Sequence, residues 1–149
     1  MQISADDLAL VDTNVLIESL IEGDVHHKAA AALLERAQSG EVELCLVPQV
    51  LAEFYSVVTN PNREEMALTP DQALDAIDTF LQMPGMTELP APPDMLSRFL
   101  ELARQHKVRR GDIYDIVLAA AMLGNGVHRI YTFNRRDFER LTELEVLDP

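Results

Sequence analysis

The residues best suited to chemistry are carboxylates that border apolar segments. Asp12 follows the apolar run Leu8–Val11, which predicts a buried strand, although Asp12 could also close an Asx turn. Asp115 lies in the first turn of a helix predicted over 112–123 and precedes the uninterrupted apolar run Ile116–Leu123. A carboxylate beside such segments is costly to bury unless it is paired or binds a metal ion.

Three further acids join this set, and two of them have a plainer structural alternative. Glu53 is the one charge in an apolar helix predicted over Pro48–Val58, where it could instead face solvent on one edge. Asp112 could act as the N-cap of the helix that contains Asp115, and both acids would complement that helix N-terminus. Asp137 follows a predicted strand near the C-terminus.

The remaining residue types favour metal-assisted chemistry by elimination. The four histidines form no zinc pattern, because His26 and His27 are adjacent and His106 and His128 stand alone. The sequence has neither a Gly-rich phosphate loop nor a Gly-x-Ser-x-Gly motif. Cys45 lies in an apolar strand and is expected to be packed. Clustered carboxylates suit Mg²⁺ or Mn²⁺, so the available chemistry is metal-assisted attack by water.

The elements that must position these acids alternate between strand and helix. Strands are predicted over 8–11, 42–47, 86–89, 129–132 and 144–147. Helices are predicted over 15–21, 26–38, 48–58, 70–81, 93–106, 112–123 and 135–141. This alternation predicts an α/β fold with a parallel sheet covered on both faces. Ligands bind such sheets at the carboxyl ends of the strands, so Asp12 and Asn134 are expected at the same edge.

Composition bounds the class of protein. A chain of 149 residues with 48% apolar residues is expected to form one domain with a real core. The single cysteine excludes an internal disulfide. No apolar stretch is long enough to span a membrane, and the N-terminal residues carry no export signal, so a cytoplasmic protein is expected.

The charge is unevenly distributed. The net charge is −13, yet nine of the 12 Lys and Arg residues lie within residues 98–140. These bases could be solvated helix faces, or they could form a basic rim for a polyanion on an otherwise acidic body.

Four segments, taken in order, resemble the PIN-domain ribonucleases of the VapC toxin type. The segments are Leu10–Leu16, Gln49–Tyr55, Asp115–Ala120 and Ile130–Phe138. The resemblance covers nearly the whole chain. It implies a single PIN domain over residues 1–149, an α/β/α sandwich around a mostly parallel sheet of about five strands.

The same resemblance implies the site residues. Three acids, Asp12, Glu53 and Asp115, correspond to the family's metal-binding and catalytic positions. A fourth, more variable position corresponds to Asn134, where relatives often have Asp, or to Asp137. The asparagine places a second metal site in more doubt than the first. The supporting residues implied are Thr13, Asn14 and Thr132, with Asp112 as a cap or outer group.

The function implied is an endoribonuclease that uses one or two Mg²⁺ or Mn²⁺ ions, acting as the toxin of a toxin–antitoxin pair. A small antitoxin partner and a homodimer follow from the resemblance. The expected phosphate contacts, all near the same sheet edge, are Arg109, Arg110, Arg129, Arg135 and Arg136.

Three alternatives stay open at this point. The chain could be a PIN nuclease of RNA processing without a toxin role. It could also be a catalytically silent PIN-like module that binds RNA or protein, although all three main acids are present. A receiver-type signalling domain is disfavoured, because Lys28 and Lys107 are the only lysines and neither follows a late strand.

Overall fold

The computed structural model describes residues 7–149, which form one five-stranded sheet flanked by helices. The strands are β1 (Ala9–Val11), β2 (Leu44–Leu46), β3 (Met86–Glu88), β4 (Arg129–Tyr131) and β5 (Glu145–Leu147). The helices are α1 (Thr13–Glu18), α2 (His27–Gln38), α3 (Pro48–Val58), α4 (Pro70–Gln82), α5 (Met95–His106), α6 (Ile113–Gly124) and α7 (Arg135–Glu139). A short 3₁₀ turn, Arg110–Asp112, precedes α6.

The predicted α/β architecture is confirmed. All four strand pairs are parallel, and the strand order is β3-β2-β1-β4-β5. Parallel neighbours require crossover connections, which the helices supply. Several elements are shorter than predicted. The strand expected over 42–47 pairs only over Leu44–Leu46, because β3 offers three register positions, and α7 ends at Glu139 instead of 141.

The order of the strands creates a crevice at the centre of the sheet. From β1 the chain moves to β2 and β3 on one side, whereas β4 and β5 are added on the other side. The connections after β1 and β4 therefore diverge, and ligands bind open α/β sheets at such a switch point. Asp12 directly follows β1, and Thr132 directly follows β4.

The core lies on both faces of this sheet and fixes the strands that carry the site. Leu10 in β1 and Ile130 in β4 are completely buried and lie in register with each other. Helix α6 is buried over most of its length, as its apolar run predicts. Cys45 is buried in β2, as predicted, and burial raises the pKa of its thiol to about 12.

Helix α4 begins as its sequence predicts. The Thr69 hydroxyl accepts a hydrogen bond from the Gln72 backbone N–H at 3.2 Å, and the Gln72 side chain accepts one from the Thr69 backbone N–H at 2.9 Å. This reciprocal capping box, with Pro70 at the first helical position, satisfies donors that a helix start otherwise leaves unpaired.

No helix within residues 7–149 is long and apolar enough to cross a membrane. The expectation of no export signal concerns chiefly residues 1–6, which lie outside the described residues.

Candidate active site

A cleft of about 530 Å³ opens at the carboxyl edge of the sheet, between α3, α6 and α7. Its lining residues are Asp12, Gln49, Ala52, Glu53, Gly111, Tyr114, Asp115, Leu118, Asn134, Asp137 and Phe138. The structure thus brings together all three acids of the predicted triad and both candidates for the fourth position. They come from four separate segments of the chain, which only the crossover topology makes neighbours.

Asp12 lies at the base of the cleft and is held from three sides. It is 8% exposed. Its Oδ1 accepts a hydrogen bond from the Thr13 backbone N–H at 2.8 Å, and its Oδ2 accepts from Thr132 Oγ1 at 2.8 Å and from Asn14 Nδ2 at 3.2 Å. These bonds fix the carboxylate and match the predicted supporting positions of Thr13, Asn14 and Thr132.

The pKa of Asp12 is raised above its ordinary value despite these donors. Burial is the largest cause, and it outweighs the lowering effect of the bonds from Thr132 and Thr13. The carboxylates of Glu53 and Asp137 raise the pKa further by repulsion. Within residues 7–149, no Lys or Arg side chain forms an ion pair with Asp12.

Glu53 reaches the cleft from the exposed edge of α3. Its helix buries Val50, Phe54 and Val58 on the opposite face, so the carboxylate faces solvent as well as the cleft. Glu53 Oε2 accepts a hydrogen bond from Thr13 Oγ1 at 3.1 Å. Both readings of this residue therefore apply: it is a solvated edge residue, and that edge lines the cleft.

Asp115 occupies the first turn of α6 and has the most perturbed titration of the set. Burial raises its pKa to about 7, and repulsion by Asp137 contributes the next largest part. The Arg140 guanidinium opposes this effect, with Nη2 at 3.5 Å from Asp115 Oδ2. The side chain of Asp115 keeps only 23% of its surface exposed.

The structure corrects the predicted capping role of Asp112. Asp112 precedes α6 but has helical backbone angles, and its side chain makes no cap hydrogen bond. Its Oδ2 instead accepts a hydrogen bond from Arg140 Nη1 at 3.3 Å. Asp112 therefore acts with Asp115 on one guanidinium, as an outer group of the cleft.

Asn134 and Asp137 differ in their relation to the acids. The Asn134 backbone N–H donates to Thr132 Oγ1 at 2.9 Å, and its exposed amide lines the cleft. The Asp137 carboxylate stands near enough to raise the pKa of both Asp12 and Asp115. Charge therefore favours Asp137 as the fourth acidic position.

The predicted arginines divide into three groups. The prediction that Arg129 lies near the acids is wrong. Arg129 lies at the amino end of β4, away from the cleft, and its Nε is 3.3 Å from Glu145 Oε2. Arg135 is held by Glu139 at 3.0 Å and Asp148 at 2.9 Å, which offset its charge. The exposed residues Arg109, Arg110 and Arg136 make no ion pair within residues 7–149.

Sequence reasoning did not identify three residues of the cleft or its rim. Arg140 contacts two acids, Asp112 and Asp115, that lie far from it in the sequence, so no local spacing marks it. Gln49 lines the cleft and donates from Nε2 to the Tyr114 backbone oxygen at 3.1 Å, which joins α3 to α6. Tyr114 lines the cleft with 66% of its surface exposed. Neither of these two residues carries a charge that would mark it in the sequence.

The donor chemistry of the cleft fits a divalent cation. Within residues 7–149, no three Asp, Glu, His or Cys side chains surround a common point as ligands of one ion. The oxygens of Asp12 and Asp115 contact Thr132 and Arg140 instead. Nevertheless, carboxylate and amide oxygens are the ligands that hard cations prefer. Burial is the main cause of the raised pKa values of Asp12 and Asp115, and repulsion by Asp137 adds to both, so a cation would stabilise their charged forms.

Comparison with known proteins settles the family. The PIN domain family model matches residues 9–144. The chain belongs to the PIN domain family. The resemblance to VapC-type PIN domains is also confirmed. The "VapC ribonuclease Mb2897" of Mycobacterium bovis is 33% identical over 115 residues, covering 77% of this chain and 78% of the relative. The "Ribonuclease VapC48" of Mycobacterium tuberculosis is 25% identical over 138 residues, covering 93% and 94%.

Solved structures share the fold. The complex VapBC2 of Rickettsia felis, bound to a promoter DNA fragment, has a chain with a TM-score of 0.68 at 17% identity, covering 95% of this chain and 98% of that one. The toxin VapC20 of Mycobacterium tuberculosis, described as cleaving the sarcin-ricin loop, has a TM-score of 0.65 at 18% identity, covering 89% and 94%.

Replacing Thr132 with Val in this PIN domain should lower the free energy of unfolding by about 1–3 kcal/mol. Thr132 is completely buried, and its hydroxyl serves Asp12, Asn14 and the Asn134 N–H, all of which would lose a partner. Urea unfolding measures the change. Thr132→Ser keeps the hydroxyl and should lose less stability than Thr132→Val. A Thr132→Val variant as stable as wild type would contradict this role.

Replacing Asp115 with Asn should stabilise the metal-free PIN domain at alkaline pH. The folded protein holds a proton on Asp115 up to about pH 7, whereas the unfolded chain releases it near the ordinary value of 3.8. Wild-type stability therefore falls as pH rises through this window, and Asp115→Asn removes that fall. Because Asp115 is only partly buried, we expect a gain of about 1–2 kcal/mol above pH 7.

Urea unfolding in the presence of chelator, from about pH 5 to pH 8, measures this gap. The advantage of Asp115→Asn should grow towards pH 7 and then stay constant. Asp78→Asn, an exposed acid of α4, is the matched control. A gap between Asp115→Asn and wild type that does not vary with pH would show that the pKa of Asp115 is not raised.

Proposed function

We propose that this PIN domain is a metal-dependent endoribonuclease that hydrolyses RNA phosphodiester bonds. The observation that carries the proposal is the convergence of Asp12, Glu53, Asp115 and Asp137 on one cleft at the switch point of the sheet. Relatives of the chain are named VapC ribonucleases, which supports RNA as the substrate class.

The cation would be Mg²⁺ or Mn²⁺, held by Asp12, Glu53 and Asp115, with Asp137 or Asn134 as the further ligand. When bound, such a cation activates a water molecule and offsets negative charge at the phosphodiester. Arg140, whose Nη2 lies 3.5 Å from Asp115 Oδ2, would add positive charge at this edge of the cleft. Its guanidinium offers several donors to a phosphate.

The protein groups around the acids orient them. Thr132 and Asn14 hold Asp12 Oδ2, and Thr13 holds Glu53, so these two carboxylates keep fixed positions relative to β1. Fixed ligands suit catalysis because little reorganisation is then needed during the reaction. Three exposed arginines, Arg109, Arg110 and Arg136, form no ion pair in the described part of the chain and would receive the RNA backbone at the acidic cleft.

The biological setting follows from the family. We infer that the protein is the toxin of a VapBC-type pair, neutralised by a small antitoxin, and that it forms a homodimer. Solved complexes of similar fold, such as VapBC2 of Rickettsia felis, support this setting. We also infer that residues 1–149 act as a single domain, since one sheet and one core span the described residues, and that the protein acts in the cytoplasm, where such RNA substrates occur.

Cleavage of labelled total RNA tests the proposal. The wild-type protein, free of any bound antitoxin, should cut RNA with Mg²⁺ or Mn²⁺ and not with chelator. Asp115→Asn should remove the activity, because a cation ligand is lost, while the control Asp78→Asn should keep it. Retained activity in Asp115→Asn would contradict the assignment of the site, and activity undiminished by chelator would contradict metal dependence.

A further inference from the structure

An exposed pair of aromatic rings lies at the rim of the cleft. The His26 imidazole and the Phe133 ring are stacked, with centroids 4.1 Å apart and planes inclined by 22°. His26 is exposed, whereas Phe133 is half-buried. The outer ring of the pair therefore turns a face to solvent while the inner ring supports it.

The backbone of each stacked residue is anchored by a hydrogen bond from its N–H to a neighbouring side chain. The His26 backbone N–H donates to Asp24 Oδ1 at 2.8 Å, immediately before α2 begins. The Phe133 backbone N–H donates to Asn14 Oδ1 at 3.3 Å. The anchored backbone and the stacking of the two rings favour a preformed platform, which lowers the entropy lost when a ligand binds.

The adjacent histidine has a different environment from His26. His27 Nδ1 lies 2.9 Å from the Glu18 backbone oxygen, so that ring has a structural partner. The His26 ring makes no hydrogen bond to any other group in residues 7–149, and its aromatic partner is Phe133. The two histidines therefore have different roles despite being neighbours.

The stack adjoins the catalytic acids without lining the cleft. Phe133 lies between Thr132, whose hydroxyl donates to Asp12, and Asn134, which lines the cleft. Asn14 joins the two places directly, because it accepts from the Phe133 N–H and donates to Asp12 Oδ2. The Phe133 backbone is thus linked through one side chain to a carboxylate of the cleft, which places the stack beside the acid cluster.

Local charge decides which part of a nucleotide suits this platform. The carboxylates of Glu18 and Asp24 lie close enough to interact with the His26 ring. Their negative charge disfavours a phosphate there. It does not disfavour a base, which offers a π face and amino donors. The exposed arginines that make no ion pair within residues 7–149 lie on other segments, since Arg110 precedes the cleft residue Gly111 and Arg136 lies in α7.

We propose that the His26–Phe133 stack is a nucleobase-binding site, on which a base flanking the scissile phosphate of the RNA stacks against His26. The proposal rests on the ribonuclease function proposed above. Stacking accepts any base, because every base has a π face, so the site would strengthen binding of single-stranded RNA with little sequence preference.

Binding of a short, mixed-sequence single-stranded RNA that carries 2-aminopurine tests the site. Affinity and 2-aminopurine fluorescence are measured with Mg²⁺ in the Asp115→Asn background, which should bind without cleaving. Adding His26→Ala should weaken binding roughly 5- to 150-fold and reduce the fluorescence quenching that stacking causes. Adding His26→Tyr should preserve both affinity and quenching. Adding Val25→Ala, next to it and 86% exposed, should change neither.

The outcomes separate this proposal from the one on which it rests. Equal affinity and quenching with and without His26→Ala would overturn the stacking site and leave the ribonuclease proposal intact. Equal losses in His26→Ala, His26→Tyr and Val25→Ala would also overturn it, because stacking would not be the cause. If the wild-type protein, free of antitoxin, fails to cleave the same RNA with Mg²⁺ or Mn²⁺, both proposals fall.

Discussion

The hydrogen bond from Thr132 Oγ1 to Asp12 Oδ2, 2.8 Å long, joins the carboxyl ends of β1 and β4. These are the two strands at which the strand order reverses. The rest of the site is arranged around this bond. Asn14 shares the same carboxylate oxygen, and Thr13 links the end of β1 to Glu53 in α3. Because Thr132 is completely buried, its bond to Asp12 is protected from water. The partly buried bonds of Asn14 and Thr13 extend this network towards the cleft. The cleft is thus built from the central strands outward.

A second constraint is the negative charge that this geometry concentrates. Asp12, Asp115 and Asp137 face one another in a partly buried cleft, and the pKa values of Asp12 and Asp115 are raised as a result of burial and mutual repulsion. Within residues 7–149, Arg140 is the cation that contacts one of them, Asp115, and it lies at the outer edge beside Asp112. The metal-free protein is therefore held in a state of higher electrostatic energy, which a divalent cation would relieve. An acidic, marginally compensated cleft is compatible with RNA binding only if positive charge enters it.

Much of the fold and of the acid cluster could be predicted from the sequence, because both depend on regularities of short range. Apolar runs of strand and helix length alternate, and this alternation places Asp12 and Asn134 at one sheet edge. The predictions failed at contacts between elements that are distant in the sequence. Arg140 approaches Asp115 only because the end of α7 packs near the start of α6, and Arg129 is turned towards Glu145 by the register of β4 with β5. Neither fact is contained in a local pattern.

The central claim is that the cleft acids form a divalent-cation site. Calorimetric titration of Mn²⁺ into the metal-free protein tests it most directly, with Asp12→Asn and the surface control Asp78→Asn measured alongside. The account predicts that wild type and Asp78→Asn bind Mn²⁺ alike. It predicts that Asp12→Asn loses more than the roughly 10–100-fold in affinity that changes outside the ligand shell cost. Equal Mn²⁺ affinity in all three proteins would contradict it.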